Sequence, residues 1–446
     1  MGGFLTRRAA LLGSAGLLVG CETIDDIFGE KRQRFDGERI AVVTVPERTL
    51  EADAAAQGTP VALPPPAPRA EWPQAGGDAA HAGGHPALAA SLSQVWRSGF
   101  GSGSAYRRRL TGGPVAGGGA VFAADAFGAV SCFDLGSGGR RWRRDTRRED
   151  DDDGAVGAGL ALGGESLFVT TGLAEAMALN VADGSVRWRV RLSAPARGAP
   201  TLAGGRLLVP TIAGQLLCLS AEDGSRAWAH RAAPTTTIPL GLPAPAVEGE
   251  TVVAGFPSGE LYALRLADGR VLWSESLAAA GSIALSEISG VRAHPVIAGG
   301  RAIAVGVGGL SLCIDLRSGR RLWELDAGGT ESVWVAGDWV FMSNDAGQVA
   351  AIGRDSGQVR WAVSLRPPAR GNRAPERIGL SSPVLAGGRV LVGTSRGELV
   401  ALDPSSGAVA GRSPLPGGLS LQPIIAGDLL LAATDDATLV AFAGAG

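Results

Sequence analysis

The sequence predicts an all-β protein: an eight-bladed β-propeller of four-stranded antiparallel blades. The chain repeats itself about every 45 residues from Trp96 onward, the length of one such blade. Each repeat closes on a Gly-containing turn followed by Trp. The last repeat lacks its closing strand, and an orphan strand of the right kind precedes the first repeat.

The closing turns set the register. LADGRVLW ends at Trp273, VADGSVRW at Trp188, EDGSRAW at Trp228, RSGRRLW at Trp323 and DSGQVRW at Trp361; Trp142 closes an earlier copy, and Gly411 stands where a seventh Trp would fall. Asp-Gly and Ser-Gly supply the positive φ that a tight hairpin between right-twisted strands requires. Earlier in each repeat a second set of turns reverses the chain, at Gly204-Gly205, Gly249-Glu250, Gly299-Gly300, Gly337-Asp338, Gly387-Gly388 and Gly427-Asp428. The final unit, Gln422 to Phe442, holds three strands and no closing Trp, whereas Ser93 to Trp96 reads as a closing strand with its Trp in place. Pairing the two makes one composite blade beside seven continuous ones, and a closed ring has no unpaired sheet edge at its seam.

Composition fits this fold. The 446 residues include 68 Gly and 26 Pro and are 45% hydrophobic, with little helical periodicity after residue 20. Net charge is −2, and the 41 basic residues, all Arg but Lys31, form no stripe interleaved with aromatics, so nucleic-acid binding has no support.

The N-terminus reads as an export signal, with Arg7 and Arg8 ahead of an apolar run from Ala9 to Val19 that is short for a membrane span. It ends in Leu18-Val19-Gly20-Cys21, similar to a bacterial lipoprotein cleavage box, which implies acylation of Cys21 and an anchor without a transmembrane helix. Thr6-Arg7-Arg8 is also compatible with a twin-arginine signal, leaving the export route open. The expected organisation is therefore a signal peptide over 1–20, a lipidated tether over 21–71 and the propeller over 72–446. Within the tether, Ile40 to Val45 could form a strand, and Pro64-Pro65-Pro66 favours an extended conformation.

Cys132, Cys218 and Cys313 occupy equivalent repeat positions, where other repeats place Ala178, Ala263, Ala351, Ala401 and Ala441. The position selects a small apolar residue, and blades apart these cysteines cannot meet disulfide geometry, so buried free thiols are expected. His81, His85, His230 and His294 show no zinc-ligand spacing; the first two lie in GGDAAHAGGHP, expected to be a solvated loop. The acidic run Glu149 to Asp153 is expected to be a surface loop. No nucleophile elbow, phosphate loop or His-based triad can be assembled, so no catalytic, cofactor or metal residues are assigned.

The pattern Gly-x-Leu-x-Ala-Leu-x-x-x-x-Gly-x-x-x-Trp, with close variants from Gly259 to Trp273 and from Gly347 to Trp361, resembles the repeat of quinoprotein (PQQ) dehydrogenases. Together with the lipoprotein box, the short tether and the opening Trp72-Pro73-Gln74-Ala75-Gly76-Gly77-Asp78, it resembles the BamB family of lipoproteins in the outer-membrane β-barrel assembly (BAM) machinery. That resemblance implies a non-enzymatic scaffold without cofactor, lipid-anchored at the periplasmic face of the outer membrane. Its implied partners are a POTRA domain of BamA, other BAM lipoproteins and nascent outer-membrane proteins.

In that family, loops between blades form the partner surface, one of them carrying an Arg after a short apolar stretch. The matching segment here is Leu192 to Gly198, which makes Ala196, Arg197 and Gly198 the candidate partner residues, with Arg197 foremost. A guanidinium can bond a carboxylate bidentately, and Arg is enriched at interface hot spots. The family's second, acidic loop should fall near Ser286 to Arg292, where SEISGVR offers Glu287 as its one acid and Arg292 as a base. Two other functions remain open on sequence: a PQQ-dependent dehydrogenase, though no adjacent cysteine pair is present, and a lipid-anchored propeller binding a ligand at its mouth.

Overall fold

The computed structural model describes residues 48–106, 108–147, 157–236, 238–277, 290–368 and 376–445. The export signal, Cys21, the stretch Ile40 to Val45, the acidic run Glu149 to Asp153 and Glu287 lie outside the described residues.

Eight four-stranded antiparallel sheets succeed one another along the chain. Seven are continuous, over residues 115–144, 158–191, 201–231, 246–276, 296–325, 334–364 and 384–414, and are numbered blades 1 to 7. Blade 8 is composite: Ile424–Ala426, Leu429–Ala433 and Thr438–Gly444 are completed by Leu92–Gly99 from the N-terminal side. Arg97 lies opposite Val440 in this pair, so the ring closes as the sequence predicts. First strands of neighbouring blades pack against one another and line a central channel.

Burial within a blade follows position. In blade 3, Arg206–Thr211 and Gln215–Ser220 are apolar runs buried almost throughout, as strands covered on both faces should be. The outer strand Arg226–Arg231 instead alternates exposed and half-buried residues along RAWAHR.

The closing tryptophans join blade to blade. Each lies opposite the small-residue position of its neighbouring strand: Cys132 opposite Trp142, Cys218 opposite Trp228, Cys313 opposite Trp323, and Ala178, Ala263, Ala351 and Ala441 opposite Trp188, Trp273, Trp361 and Trp96. A bulky neighbour there would compete with the indole, which explains the restriction to Ala and Cys. The three cysteines are buried free thiols, and burial raises the thiols of Cys132 and Cys218 to about 11 and that of Cys313 to about 12.

Each indole also reaches forward into the next blade. Trp361 Nε1 donates to Pro404 O at 2.8 Å, Trp142 Nε1 to Val181 O at 2.9 Å, and five further tryptophans do the same. The acceptor sits in the turn between the third and fourth strands of that blade, whose glycine lies under the ring. At Gly407, with φ +73°, a Cβ would fall 2.6 Å from the Trp361 ring.

This contact explains Gly411. The blade after it is the composite one, whose fourth strand arrives from the other end of the chain, so it has no turn between third and fourth strands. A Trp at position 411 would find neither the acceptor nor the glycine, and the space there is open.

The segment expected as tether and solvated loop does something else. From Arg69 to Pro86 the chain runs around the inner strands and bonds every blade in turn. Gly427 N–H of blade 8 donates to Arg69 O; Trp72 and Ala116 of blade 1 exchange two bonds; Leu162 N–H of blade 2 donates to Pro73 O. Leu202 N–H of blade 3 donates to Gln74 Oε1, and Val247 and Ile297 of blades 4 and 5 donate to Ala79 O and Ala80 O. Trp334 Nε1 of blade 6 donates to Gly84 O, and Gly387 N–H beside blade 7 to Pro86 O. Residues 69–86 thus plug one end of the channel, inside the ring.

His81 and His85 are therefore buried, at 2% and 8% exposure, against the expectation of a solvated loop. His81 Nδ1 pairs with Pro295 O; His85 Nδ1 pairs with Pro64 O while its Nε2 accepts from Gly388 N–H. Small residues around them misled the sequence reading: the glycines mark close packing here, since a Cβ on Gly83 would overlap the Trp334 ring at 1.9 Å. Upstream, Asp53 exchanges two bonds with Val359, and Arg48 pairs with Asp326, so the described part of the expected tether also lies on the ring.

Candidate functional site

The end of the channel opposite the plug is formed by the linkers that carry the chain from each fourth strand to the next first strand. These linkers hold Arg197 and Arg292.

Arg197 lies between blades 2 and 3 and is half-buried, with its Nε enclosed and lacking a hydrogen-bond partner. Its carbonyl accepts from Leu242 N–H of the next linker at 3.0 Å. Ala196 is fully buried, with its N–H bonded to Thr171 O. Gly198 is pressed against that same next linker: a Cβ would lie 2.4 Å from Leu242 O, while its carbonyl accepts from Thr170 Oγ1. Of the three, only Arg197 is partly exposed; the other two are buried and hold its loop in place.

Arg292 lies two linkers further on and turns inward over the channel. Its Nε donates to Leu240 O at 3.1 Å, and its Nη1 bonds Glu331 Oε1 at 3.0 Å and Thr330 O at 3.3 Å. Glu331 Oε2 in turn accepts from Ser382 Oγ, and the Ser382 and Ser332 hydroxyls accept from the backbone N–H groups of Ser332 and His294. Successive linkers are thereby stitched into a belt around the mouth. Arg292 is a member of that belt and does not project from the rim.

Between the two arginines the linker of residues 232–245 presents Ile238 and Leu240, 39% and 44% exposed. Large apolar side chains so exposed are few among the described residues, and others lie along outer strands. This linker is bonded to that of Arg197 through Leu242 N–H, so the sector combines a half-buried cation with exposed apolar side chains, the composition of interface centres.

Inside the belt lies a cavity of about 780 Å³. Below it a chamber of about 80 Å³ is bounded by Arg292, Glu331, His294 and, at its floor, Trp72 and Gly76 of the plug. The cavity is thus a blind pit. Asp345 opens onto its water, yet the surrounding wall and the Glu331 carboxylate raise the Asp345 pKa above the usual carboxylate range.

A quinone-and-metal centre of the kind the repeat resemblance raises finds no fit here. Among the described residues no three His, Cys, Asp or Glu side chains converge to hold a metal. The three cysteines belong to three separate blades, and the channel centre beyond the pit is filled by Trp72 and Trp334.

Fold and site define a closed propeller of quinoprotein-type repeats, plugged at one end and presenting linker loops at the other. Residues 126–363 and 347–445 match the family described as outer membrane protein assembly factor BamB, and the chain belongs to that family. It is 26% identical over 360 residues to outer membrane protein assembly factor BamB of Yersinia pestis, covering 79% of this chain and 89% of the relative. With the protein of the same name from Xanthomonas campestris pv. campestris it shares 29% over 361 residues, covering 79% and 86%. The crystal structure of BamB from Moraxella catarrhalis superposes with a TM-score of 0.67 at 22% identity, over 79% of this chain and all of that one. Quinohemoprotein alcohol dehydrogenase from Comamonas testosteroni superposes as well, with a TM-score of 0.68 at 13% identity over 84% and 81% of the two chains. Likeness at that level shows a shared ring and no shared chemistry.

Proposed function

We propose that this protein is a non-enzymatic scaffold of the outer-membrane β-barrel assembly machinery, held by lipid on Cys21 at the periplasmic face of the outer membrane. Its docking surface is the linker sector around Arg197, and its partner is a POTRA domain of BamA. The observation that carries the reading is the juxtaposition of the half-buried Arg197, with its unpartnered Nε, and the exposed Ile238 and Leu240 on the adjoining linker. An acidic residue on the partner would pair with the guanidinium while apolar side chains cover the linker. The lipid raises the effective concentration at the membrane, so that a modest interface suffices.

Affinity purification of the tagged lipoprotein from gently solubilised membranes tests this reading. Wild type should retain BamA, and Arg197→Glu should lose most of it while keeping the same thermal unfolding midpoint. Equal recovery with both proteins would remove Arg197 from the interface, and no BamA with either would remove the scaffold reading itself.

A further inference from the structure

The outer wall of the ring is lopsided in charge. The fourth strands of blades 8, 1, 2 and 3 carry ten arginines and no acidic residue, whereas those of blades 4 to 7 carry three arginines and two glutamates. Four adjacent outer strands thus form a cationic sector, densest between blades 1 and 2. Alternate residues of a strand face opposite sides. Arg140, Trp142 and Arg144 of RRWRR face blade 2, where Trp142 Nε1 donates to Val181 O and Arg144 Nε to Gly184 O, both at 2.9 Å. Arg187, Arg189 and Arg191 of VRWRVR face back toward blade 1, with Arg189 Nη2 donating to Thr146 O at 2.6 Å. Five guanidiniums besides Arg189 Nη2's own bond partner thus share one groove with Trp142.

The groove holds more cation than it neutralises. The acids that border it are taken: Glu165 pairs with Arg187, Glu175 with Arg189 and Asp145 with Arg147, while Asp183 accepts from the Ser185 hydroxyl. Arg140 and Arg191 are exposed and make no hydrogen bond or ion pair among the described residues. Relative to the aligned Trp142 and Trp188, Arg140 stands two residues before and Arg191 three after, so they hold opposite ends of the groove. Along the strands that separation is about 16 Å, the length of about five extended residues.

The ring shows elsewhere what its outer wall accepts. Residues 50–59 lie along the fourth strand of blade 6, where Asp53 N–H donates to Val359 O, Asp53 Oδ2 accepts from Val359 N–H, and Thr59 O accepts from Arg360 Nε. A polypeptide with a carboxylate is thus already seated on one outer strand. A flat bilayer suits the groove less, because the wall of a closed ring is convex and Arg140 and Arg144 turn sideways across the groove, within reach of an inserted chain. We propose that the groove between blades 1 and 2 binds an acidic segment of a partner polypeptide in extended form, with its carboxylates on Arg140 and Arg191. The groove includes none of Arg197, Ile238 and Leu240, so this site stands apart from the docking surface proposed at the mouth.

Fluorescence anisotropy tests the assignment, on the full mature chain with Cys21→Ser so that no lipid interferes. The probe is a fluorescein-labelled heptapeptide amide of alternating Ser and Glu, which sets its carboxylates on one side of an extended chain, and its Gln counterpart is the neutral control. The Glu peptide should bind about 10-fold more tightly than the Gln peptide. Arg140→Gln and Arg191→Gln should each weaken it about 3- to 5-fold, the scale of an exposed ion pair, and leave the Gln peptide unaffected. Both side chains are exposed and unpaired, so neither variant should shift the unfolding midpoint. Arg97→Gln and Arg226→Gln, equally exposed and unpaired but on other grooves, should leave binding unchanged. Equal losses in those two controls would reduce the effect to the diffuse charge of the sector and overturn the site, as would equal binding of the Glu and Gln peptides or no binding of either. Binding that appears only when Glu149→Gln, Asp150→Asn, Asp151→Asn, Asp152→Asn and Asp153→Asn are combined would overturn the partner in favour of the chain's own acidic run. Phosphatidylglycerol vesicles that bind the protein through Arg140 and Arg191 and displace the peptide would overturn it in favour of a lipid surface.

Discussion

Trp72 of the plug stacks on Trp334 of blade 6, with ring centroids 5.7 Å apart and planes 12° from parallel, at the axis of the ring. The Arg69 guanidinium lies over the Trp72 ring, 4.9 Å from its centroid. One partner comes from before the first blade and the other from the sixth, so the stack couples the start of the propeller to its far side. A segment that bonds all eight blades acts as an internal strut whose ordering requires the closed ring.

Trp72→Ala should therefore cost more than a substitution at a comparable position within one blade. Removing a buried indole costs about 3–5 kcal/mol, and here the strut loses its anchor as well. Denaturant titration should show the midpoint falling by that amount. Limited proteolysis should give new cleavage between residues 69 and 86 in the variant, and unchanged resistance of that segment would refute its role as a strut.

The indole bonds between blades predict an asymmetry between Trp361 and Gly411. Trp361→Phe keeps most of the apolar contact but leaves Pro404 O without its donor, a loss of about 1–2 kcal/mol. Gly411→Trp should restore the repeat pattern and yet gain nothing beyond about 0.5 kcal/mol, because its missing partner is a turn that blade 8 does not possess. A gain of 2 kcal/mol or more for Gly411→Trp, on the scale of a buried side chain, would show that the indole finds a different seat.

These contacts mark what was legible in the sequence. Strand count, register and closure by Trp96 were readable because a period-based pattern repeats the same physical demand at every blade, so each copy corroborates the others. The small-residue position of Cys132, Cys218 and Cys313 was readable for the same reason. The plug was not, since residues 69–86 occur once, carry no periodicity, and use their glycines for close packing where glycine elsewhere signals a turn. The mouth lay between these cases. Arg197, Leu242, Arg292, Leu380 and Ser420 each stand three residues before a linker proline, at Pro200, Pro245, Pro295, Pro383 and Pro423. That shared register places them all at the channel end, a signal present in the sequence; the pairing of Arg292 with Glu331 was not readable, because it depends on how far adjacent linkers are rotated around the ring.

Asp345 provides a pH test of the pit. Its pKa is raised in the folded protein, so the folded state holds its proton more firmly than the unfolded chain. The stability associated with that proton is present at low pH and is lost as pH rises from about 4 through the folded pKa. Asp345→Asn should accordingly be neutral or stabilising by up to about 1 kcal/mol at pH 7, and relatively worse near pH 3.5, where the wild-type carboxyl is already neutral. Destabilisation of equal size at both pH values would mean that Asn fails sterically and that charge plays no part.

The opposite sign holds for the two histidines below the pit. His81 lies on the plug and His294 in the linker before blade 5, with ring centroids 5.4 Å apart. His81 Nδ1–H donates to Pro295 O, leaving Nε2 as a buried acceptor without a partner, whereas His294 Nδ1 accepts from Ala244 N–H and so carries its proton on Nε2. The Ala244 N–H disfavours protonation of His294, whereas burial alone keeps His81 neutral, against the Pro295 bond. Burial lowers both pKa values, that of His294 to about 3, with His81 and Arg292 adding to the effect; at His81 the Pro295 bond and the nearby Asp78 offset burial in part. Because the unfolded chain binds these protons more readily, stability is fully present above about pH 6.5 and falls as pH drops below it. Between pH 6.5 and 4.5 His294 alone should account for about 3 kcal/mol at most. Carboxylates with depressed pKa values, such as Asp268 at about 2, act at lower pH, while His230 adds to the fall within this window and Asp345 opposes it, so the test is the difference between variant and wild type. His81→Asn tests the pair, since Asn accepts the left-handed backbone at that position, φ +61°, and its amide can still reach Pro295 O. Urea titrations across the window should show a shallower fall in stability for the variant than for wild type, and parallel curves would assign the acid sensitivity to some other group.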